Sequence, residues 1–358
     1  MKANRVRAAA FMTAMAAVML CGVPARLSGQ AVVGVTSQVP VQAQAVKQID
    51  ALKAEYKRPS TIPFPKDNPY TPEKLALGKR LYFDTRLSAG NLLSCASCHS
   101  PAFGWGDGLA KGVGHGMLQL NRRSPTILNA AWGQVFMWDG RADTLEEQAL
   151  GPIQAAVEMN LPIDRLLARL AAIAEYMPLF VAAFPNENMS PTTLAKAIAT
   201  YERMVISAQA PFDEWIEGKE EAIPADAKRG FLLFNTKARC SSCHTGWNFT
   251  EDSFHDIGLP DTDIGRGKFL PQVEKMQQAF KTPGLREIER RGPYMHDGSQ
   301  ATLQAVVEHY DRGGEDRPSR SALMQPLGLS TEEKADLIAF MRTLSGSLDP
   351  TTVPILPR

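Results

Sequence analysis

The chain has 358 residues, with 39 basic and 38 acidic side chains and a formal net charge of +1 at pH 7. This balance lacks the basic surplus of nucleic-acid-binding proteins, and an apolar content of 44% is ordinary for a water-soluble protein. We therefore expect no nucleic-acid partner. The length is sufficient for two domains with separate cores.

The first 30 residues have the pattern of a secretory signal peptide. Three basic residues precede an apolar run from Ala8 to Leu20, which is the order of the n-region and h-region of such signals. Cleavage after Ala25 or near Ala31 would release the mature protein into the periplasm. Two alternatives stay open, namely lipid attachment at Cys21 and a retained membrane anchor.

The next segments in chain order predict a leader followed by helices. Residues 31–65 are rich in Gln, Val, Pro and Lys and have little periodicity apart from an amphipathic stretch over 46–56, which predicts a flexible leader. A helix is predicted to begin at Pro72, with Thr71 as its N-cap. Helical spacing of apolar residues recurs over 145–150, 163–173, 175–184, 191–208, 225–234, 303–310 and 330–344. Alternating strand patterns are scarce, so the fold is predicted to be mainly α.

The pentapeptide Cys-x-x-Cys-His occurs twice in the chain. The copies are at Cys95, Cys98 and His99 and at Cys240, Cys243 and His244. Two thiols at this spacing can form thioethers to one porphyrin, and the adjoining imidazole is then placed to bind the iron. A zinc site or a redox thiol pair is the alternative for a single motif, but no third thiol stands nearby to complete a zinc cage. Each copy therefore predicts one covalent c-type haem.

An internal echo indicates duplication of a small haem domain. The segment Gly78–Phe83 before the first motif resembles Gly230–Phe234 before the second in its spacing of Gly, Leu and aromatic residues. The predicted fold class is mainly α, with two cytochrome c-like haem domains in one chain. We expect an N-terminal domain over 66–208, a C-terminal domain over 209–345 and a tail over 346–358.

Seven short motifs stand in a fixed order across both halves. They are Arg123–Asn129, Trp138–Ala142, Glu147–Ala149, Gly151–Ile153, Glu158–Met159, Phe280–Pro283 and Pro293–Gly298. Together they resemble the bacterial di-haem cytochrome c peroxidase and MauG family over roughly residues 66–345. The resemblance implies an exported enzyme that activates hydrogen peroxide at a peroxidatic N-terminal haem and draws electrons through the C-terminal haem.

The resemblance implies catalytic roles for three side chains. Glu158 matches the distal acid/base, because cleavage of a peroxide O–O bond moves a proton between the oxygens and one carboxylate can serve both steps. Gln148 matches the distal amide, which hydrogen-bonds an oxygen in the pocket. Trp138 matches the indole that lies between the haems and shortens the electron-transfer gap. The alternatives are a surface Glu, a surface Gln and a core Trp.

Two residues point to different branches of the family. Tyr310 falls at the sixth-ligand position of the C-terminal haem, where the resemblance implies Met in cytochrome c peroxidases and Tyr in MauG. A phenolate favours oxidised iron and a low potential; Met295 or Met324 is the alternative ligand. His115 lies between two glycines and resembles the peroxidase His that caps the resting N-terminal haem, a residue that MauG lacks. The remaining histidines, His255, His296 and His309, are expected to be structural, and the alternative for His296 is a supporting contact beside a haem.

A third departure concerns calcium. Relatives hold this ion between the haem domains, and the resemblance places Arg123 where a side-chain amide would bind it. A guanidinium cation repels calcium, so we expect the site to be weakened or absent even though Arg291 and Pro293 still offer backbone carbonyls.

Several partners follow from the resemblance. They are hydrogen peroxide and either a small electron donor, such as a cytochrome c or a cupredoxin, or a protein substrate oxidised at its surface. A homodimer is common in the peroxidase branch, and no residue here decides it. The alternative function from another class is a non-catalytic di-haem electron-transfer cytochrome, whose irons would both be permanently six-coordinate.

Overall fold

Helices dominate residues 49–347 and 350–358, the part of the chain that the computed structural model describes. After a helical stretch over residues 49–55, the α-helices are α1 (Pro72–Phe83), α2 (Cys95–Cys98), α3 (Leu145–Gln154), α4 (Ile163–Ala171), α5 (Tyr176–Ala183), α6 (Pro191–Arg203), α7 (Pro211–Ile216), α8 (Ala225–Asn235), α9 (Leu303–Arg312) and α10 (Thr331–Arg342). The strands β1 (Phe254–His255) and β2 (Phe280–Lys281) pair antiparallel. The predicted signal peptide over 1–30, with Cys21, lies outside the described residues.

Each half of the chain has its own hydrophobic core. In the N-terminal half, the buried side chains between Leu77 and Val205 form a large cluster and a smaller one around Tyr82 and Trp105. In the C-terminal half, those between Phe212 and Leu344 form one cluster. The prediction of a mainly α chain with two cytochrome c-like domains is confirmed.

The same close helix crossing occurs in both halves. Gly78 of α1 lies against α6, and a Cβ on it would stand 1.9 Å from the Ala197 carbonyl oxygen. Gly230 of α8 lies against α10, and a Cβ there would stand 2.0 Å from the Asp336 carbonyl oxygen. The internal echo in the sequence therefore marks two equivalent sites where one helix backbone touches another, which requires glycine.

Local signals explain where helices begin. Thr71 caps α1, because its side chain accepts a hydrogen bond from the Lys74 backbone N–H at 3.2 Å, and Pro72 opens the helix. Ser330 and Glu333 form a capping box at the start of α10. Both starts agree with the sequence pattern.

The predicted helix over 191–208 ends early. α6 stops at Arg203, and the Ser207 backbone N–H donates to the Asn129 side chain at 2.9 Å. The Val205 carbonyl accepts a hydrogen bond from the Asn129 N–H. These distant hydrogen bonds hold 204–207 out of helical conformation, and the short α7 that follows was not predicted.

The flexible leader predicted over 31–65 is wrong for its described part. Residues 49–55 are helical, and Tyr56 is fully buried in the C-terminal core. Its hydroxyl donates to Asn235 at 2.6 Å, and Arg58 pairs with Asp213 at 3.1 Å. The amphipathic stretch supplies an apolar face that the C-terminal half covers, so the segment is packed.

No single helix within 49–347 and 350–358 has the length and apolarity needed to span a membrane. In that part of the chain, one bent pair, α4 with α5 at 107°, meets the length and composition limits jointly.

Candidate di-haem site

One cavity of about 1320 Å³ is lined by both Cys-x-x-Cys-His motifs. A site for one small ligand usually measures about 300–1,000 Å³, so this cavity has room for more. Ten of the eleven predicted site residues line its wall. They are Cys95, Cys98, His99, Gln148, Glu158, Trp138, Cys240, Cys243, His244 and Tyr310. His115 does not line it.

His99 is held in a state suited to bind iron. Its Nδ1 lies 2.8 Å from the Pro125 carbonyl oxygen, which only accepts hydrogen bonds, so Nδ1 carries the proton and Nε2 is left bare. Burial lowers the pKa of His99, which keeps the ring neutral. The buried Tyr82 donates its hydroxyl hydrogen bond to the His99 carbonyl at 2.7 Å and fixes the backbone.

His244 repeats this arrangement in the C-terminal half. Its Nδ1 lies 2.9 Å from the Phe249 carbonyl oxygen, and burial lowers the pKa of His244. In each motif the His backbone N–H donates to the carbonyl of the first Cys at 2.9 Å, which turns the thiols and the imidazole toward one side.

These donors fit covalent haem. The four motif cysteines are free thiols without a disulfide, and each pair adjoins an imidazole whose Nε2 is unprotonated. Cys95 and Cys98 with His99 would hold one haem, and Cys240 and Cys243 with His244 would hold the other.

Glu158 and Gln148 line the N-terminal end of the cavity. Glu158 sits in the turn that follows α3, and Gln148 lies on α3 itself. Neither side chain has a recorded hydrogen bond to another described residue, so both are available to a ligand. Burial raises the pKa of Glu158, and Arg141 partly opposes this shift. A carboxyl of raised pKa exchanges a proton near neutral pH more readily than an ordinary one.

Helices α3 and α9 occupy equivalent places in the two halves. Each follows a methionine at φ near +70° and begins behind a capping threonine. Pro152 and Tyr310 each lie eight residues beyond that threonine, and both line the cavity. Proline has no side-chain donor atom for iron, whereas Tyr has a phenol oxygen. The repeat is therefore symmetric in backbone and asymmetric in ligand chemistry.

Tyr310 lies on the cavity face of α9 with Leu303, Val306 and Val307, a spacing that puts all four on one side of the helix. Its hydroxyl has no recorded hydrogen bond within the described chain. Burial raises the pKa of Tyr310, so its phenolate needs a cation such as iron beside it. The alternative ligands Met295 and Met324 also line the cavity.

Trp138 is bonded to both halves. Its Nε1–H donates to the Arg123 carbonyl at 2.8 Å, and its carbonyl accepts from the Lys281 backbone N–H at 2.8 Å. Its ring lies edge to face with His296 at 6.4 Å between centroids. His296 in turn stacks on Phe280 at 3.5 Å. Trp138 is therefore fixed by hydrogen bonds to both halves of the chain.

The aromatic stack is a feature that sequence reasoning missed. His296 lines the cavity, in keeping with the alternative of a place beside a haem, and its Nε2 lies 2.5 Å from the Asp261 carboxylate. Arg122 lies over the Phe280 ring at 5.2 Å and pairs with Asp263 at 2.6 Å. The signal that was available is the repeat itself, which aligns His296 with Trp138.

His115 lies beside the distal turn rather than in the cavity wall. Its backbone N–H donates to the Val157 carbonyl at 3.1 Å, next to Glu158. Gly116 has φ of +65°, and Met117 and Leu118 beyond it are exposed. The loop thus touches the turn that carries Glu158.

The residues at the expected calcium position do not fit that ion. The Arg123 guanidinium is 7% exposed and donates from Nη2 to the Arg291 carbonyl, one of the oxygens that would bind calcium. Arg291 is itself 5% exposed and lines the same cavity. Two buried cations are the opposite of the carboxylate and carbonyl set that calcium prefers.

Comparisons with known proteins agree with this geometry. A family model for di-haem cytochrome c peroxidase matches residues 72–221, and one for cytochrome c matches residues 227–345. Methylamine utilization protein MauG of Methylorubrum extorquens is 50% identical over 345 residues, which are 95% of this chain and 96% of that protein. Cytochrome c551 peroxidase of Pseudomonas aeruginosa is 32% identical over 329 residues, covering 88% and 91% of the two chains.

A solved structure is also similar. It is a MauG-like protein associated with microbial copper homeostasis, with a TM-score of 0.74, 32% identity and coverage of 81% of this chain and 95% of that one. Relatives named as peroxidases and as MauG place this chain among haem enzymes rather than non-catalytic electron carriers. From its motifs, its two-core fold and these relatives, the chain belongs to the di-haem cytochrome c peroxidase and MauG family of oxidoreductases.

Proposed function

We propose that the protein activates hydrogen peroxide in its N-terminal half and passes the oxidising equivalents through its C-terminal half to a protein substrate. The observation that carries the proposal is the asymmetry of the shared cavity. Among the described residues, the side chains of Glu158 and Gln148 have no hydrogen-bond partner at the N-terminal end, where Pro152 replaces the residue equivalent to Tyr310. One end is thus open to a small ligand and the other has a potential axial ligand.

When bound, a haem attached at Cys95 and Cys98 would supply the iron and the two electrons that reduce hydrogen peroxide, and it would thereby take up the oxidising equivalents. Glu158 takes a proton from one oxygen of hydrogen peroxide and delivers it to the other, which leaves as water. Gln148 orients the peroxide by donating an amide hydrogen bond to it. Burial of the Glu158 carboxyl raises its pKa and suits it to both steps.

Trp138 connects this centre to the C-terminal half. Its hydrogen bonds to Arg123 and Lys281 fix the indole between the two halves. We infer that the indole gives up and regains one electron, which divides a long transfer into two shorter ones. Tyr310 and His244 would hold the iron of the second haem at the far end, and a phenolate ligand would lower its potential.

The MauG branch is favoured over the cytochrome c peroxidase branch. MauG of Methylorubrum extorquens shares half of its residues with nearly the whole chain, and its name states a part in methylamine utilization. His115 lies outside the cavity wall, which is unlike a residue that caps the N-terminal iron at rest. We propose a part in methylamine utilization, with oxidation of a protein side chain rather than consumption of electrons from a cytochrome c or cupredoxin.

Export to the periplasm completes the proposal. Covalent haem is attached outside the cytoplasm, which agrees with the signal pattern read in residues 1–30. The N-terminal domain is proposed to cover residues 66–208 and the C-terminal domain residues 209–345. In support, the N-terminal buried clusters end at Val205 and the C-terminal cluster resumes at Phe212.

The test is stoichiometric hydrogen peroxide added to the diferric protein, followed by optical and Mössbauer spectroscopy. We expect the oxidation state of iron to change without an added electron donor. No change would reject the enzyme mechanism. A fast return to the diferric state only when reduced cytochrome c or cupredoxin is present would support the peroxidase branch instead.

A further inference from the structure

Two buried arginines stand side by side in the wall of the di-haem cavity. Arg123 and Arg291 are 7% and 5% exposed, and both line the cavity that the two haem motifs share. Each has a buried Nε–H with no hydrogen-bond partner in the part of the chain that the structure describes. The remaining contacts recorded for their guanidinium groups are with backbone carbonyls, of Arg291 and Gly284.

No carboxylate neutralises this pair within residues 49–347 and 350–358, where neither arginine makes an ion pair. Asp107, whose charge attracts Arg123 from a distance, already accepts a hydrogen bond from the Ser124 hydroxyl at 2.7 Å. Glu287, whose charge attracts Arg291, already forms an ion pair with Arg290 at 2.5 Å. Burial and the neighbouring Arg123 lower the pKa of Arg291 to about 9. Two adjacent cations in such a place need an anion.

Haem brings anions of the right kind. Each haem carries two propionate carboxylates, and a guanidinium binds a carboxylate through two parallel hydrogen bonds. We propose that Arg123 and Arg291 bind haem carboxylates where the two halves of the cavity meet, in place of a divalent cation. This inference rests on haem in both halves, as proposed above, but not on any reaction with peroxide.

The same pair excludes calcium from this position. The Arg123 guanidinium already donates to the Arg291 carbonyl, and its charge opposes that of the ion. A fixed cation supplied by the chain is present at all calcium concentrations. The link between the two halves is therefore insensitive to chelators.

Redox titration of the holoprotein tests the carboxylate contact without peroxide. A cation beside a haem carboxylate favours the reduced haem, so Arg123→Gln and Arg291→Gln should each lower at least one midpoint potential. We expect about a tenfold change in the reduction equilibrium, ~59 mV for one electron. Arg123→Lys keeps the positive charge, so its midpoint potential should fall by less than that of Arg123→Gln. Arg229→Gln is the control, because it removes an arginine paired with Asp336 on the outer surface of α8.

Unchanged potentials in Arg123→Gln and Arg291→Gln proteins that hold both haems would overturn the contact. If these variants fail to load haem, the potential of the Arg123→Lys protein and the calcium content of the wild type still test the proposal. Elemental analysis of wild-type holoprotein after dialysis should find far less than one calcium per chain, with no spectral change on adding a chelator. One tightly bound calcium per chain, or a chelator-sensitive spectrum, would contradict the proposal whatever the outcome with peroxide.

Discussion

Pro152 and Tyr310 hold the same position in two copies of one structural unit. Each lies eight residues beyond a capping threonine on a helix whose inner face lines the shared cavity. A duplicated domain would be expected to give two similar haem environments. Here one copy presents a saturated ring and the other a phenol, so the unequal chemistry of the two halves depends largely on a single pair of residues.

Placing a ligand at the first of these positions should close the N-terminal haem. In Pro152→Met the thioether would reach the position that Tyr310 has in the other half, and the helix would gain the backbone N–H that proline lacks. We expect a six-coordinate, low-spin N-terminal haem and a peroxide reaction slowed about tenfold or more, ~1.4 kcal/mol in the barrier. Electron paramagnetic resonance and stopped-flow absorbance measure the two effects.

Leu150→Met is the matched control for that change. Leu150 is on the same helix and packs against the N-terminal core, but it does not line the cavity. Its variant should keep the wild-type spectrum and rate. A high-spin, fully reactive Pro152→Met protein would show that the two positions are not equivalent toward iron.

Replacing Tyr310 should change the potential of the C-terminal haem. A thioether favours ferrous iron more than a phenolate does, so Tyr310→Met should raise this midpoint potential. We expect a rise of ~59 mV, which is a tenfold change in the one-electron reduction equilibrium. Met295→Leu and Met324→Leu test the alternative ligands in the same cavity and should leave the midpoint unchanged. A Tyr310→Met midpoint equal to that of the wild type would remove Tyr310 from the iron.

Glu158→Gln should slow peroxide activation by about 10²–10⁴-fold, the usual contribution of a positioned acid or base. The carboxylate is the form that accepts the proton, and burial raises the pKa of Glu158 above that of an ordinary carboxyl. The wild-type rate should therefore fall as pH decreases through this raised pKa, and the Gln variant should lack that acid limb. Stopped-flow pH profiles measure it.

Stability provides the check on this variant. A raised pKa means that the folded state favours the neutral carboxyl, so the free energy of unfolding falls as pH rises through that pKa. The neutral side chain in Glu158→Gln should therefore not lower the melting temperature at pH 7. Glu73→Gln, at an exposed site in the first turn of α1, is the control with a normal rate. Equal rates and profiles in Glu158→Gln and wild type would exclude Glu158 from proton transfer.

Local patterns account for much of what the sequence predicts correctly. Helix starts such as those at Pro72 and Thr331 depend on neighbouring residues, and the structure has both. The two attachment motifs are likewise local. What a local pattern cannot contain is the partner of a surface, and so the stretch around Tyr56 was interpreted as a leader although the C-terminal core covers it.

The site shows the same division. Glu158, Gln148 and Trp138 are in short motifs, and all three line the cavity. The contact of Arg123 with the Arg291 carbonyl joins residues 168 apart and was expected only through the resemblance, whereas the stack of His296 on Phe280 of β2 was not expected at all. No spacing rule predicts such contacts. An alignment of the two halves uses only the internal repeat, and it would have identified Pro152 as the counterpart of Tyr310.

Trp138→Phe tests the relay. Phenylalanine keeps an aromatic ring but is far harder to oxidise, so electron exchange between the haems should slow about tenfold or more. Flash reduction of the mixed-valence protein measures this rate. Trp132→Phe is the control, because the Trp132 ring meets Trp247 at 4.8 Å on another contact between the halves. Slowing in the Trp132 variant alone would move the route to that pair.

The paired helix crossings give a prediction about stability that does not involve haem chemistry. A Cβ at Gly78 or Gly230 would stand 1.9 or 2.0 Å from a backbone carbonyl oxygen of the facing helix, and backbone cannot rotate away as a side chain can. The helices must separate, so Gly78→Ala and Gly230→Ala should each cost about 1–3 kcal/mol. Gly90→Ala has its nearest neighbour at 3.8 Å and should cost little. Thermal unfolding of the holoproteins ranks the three. Each crossing lies in a different core, so both variants should lose stability by a similar amount. A loss in only one variant would mean that the halves do not share this packing.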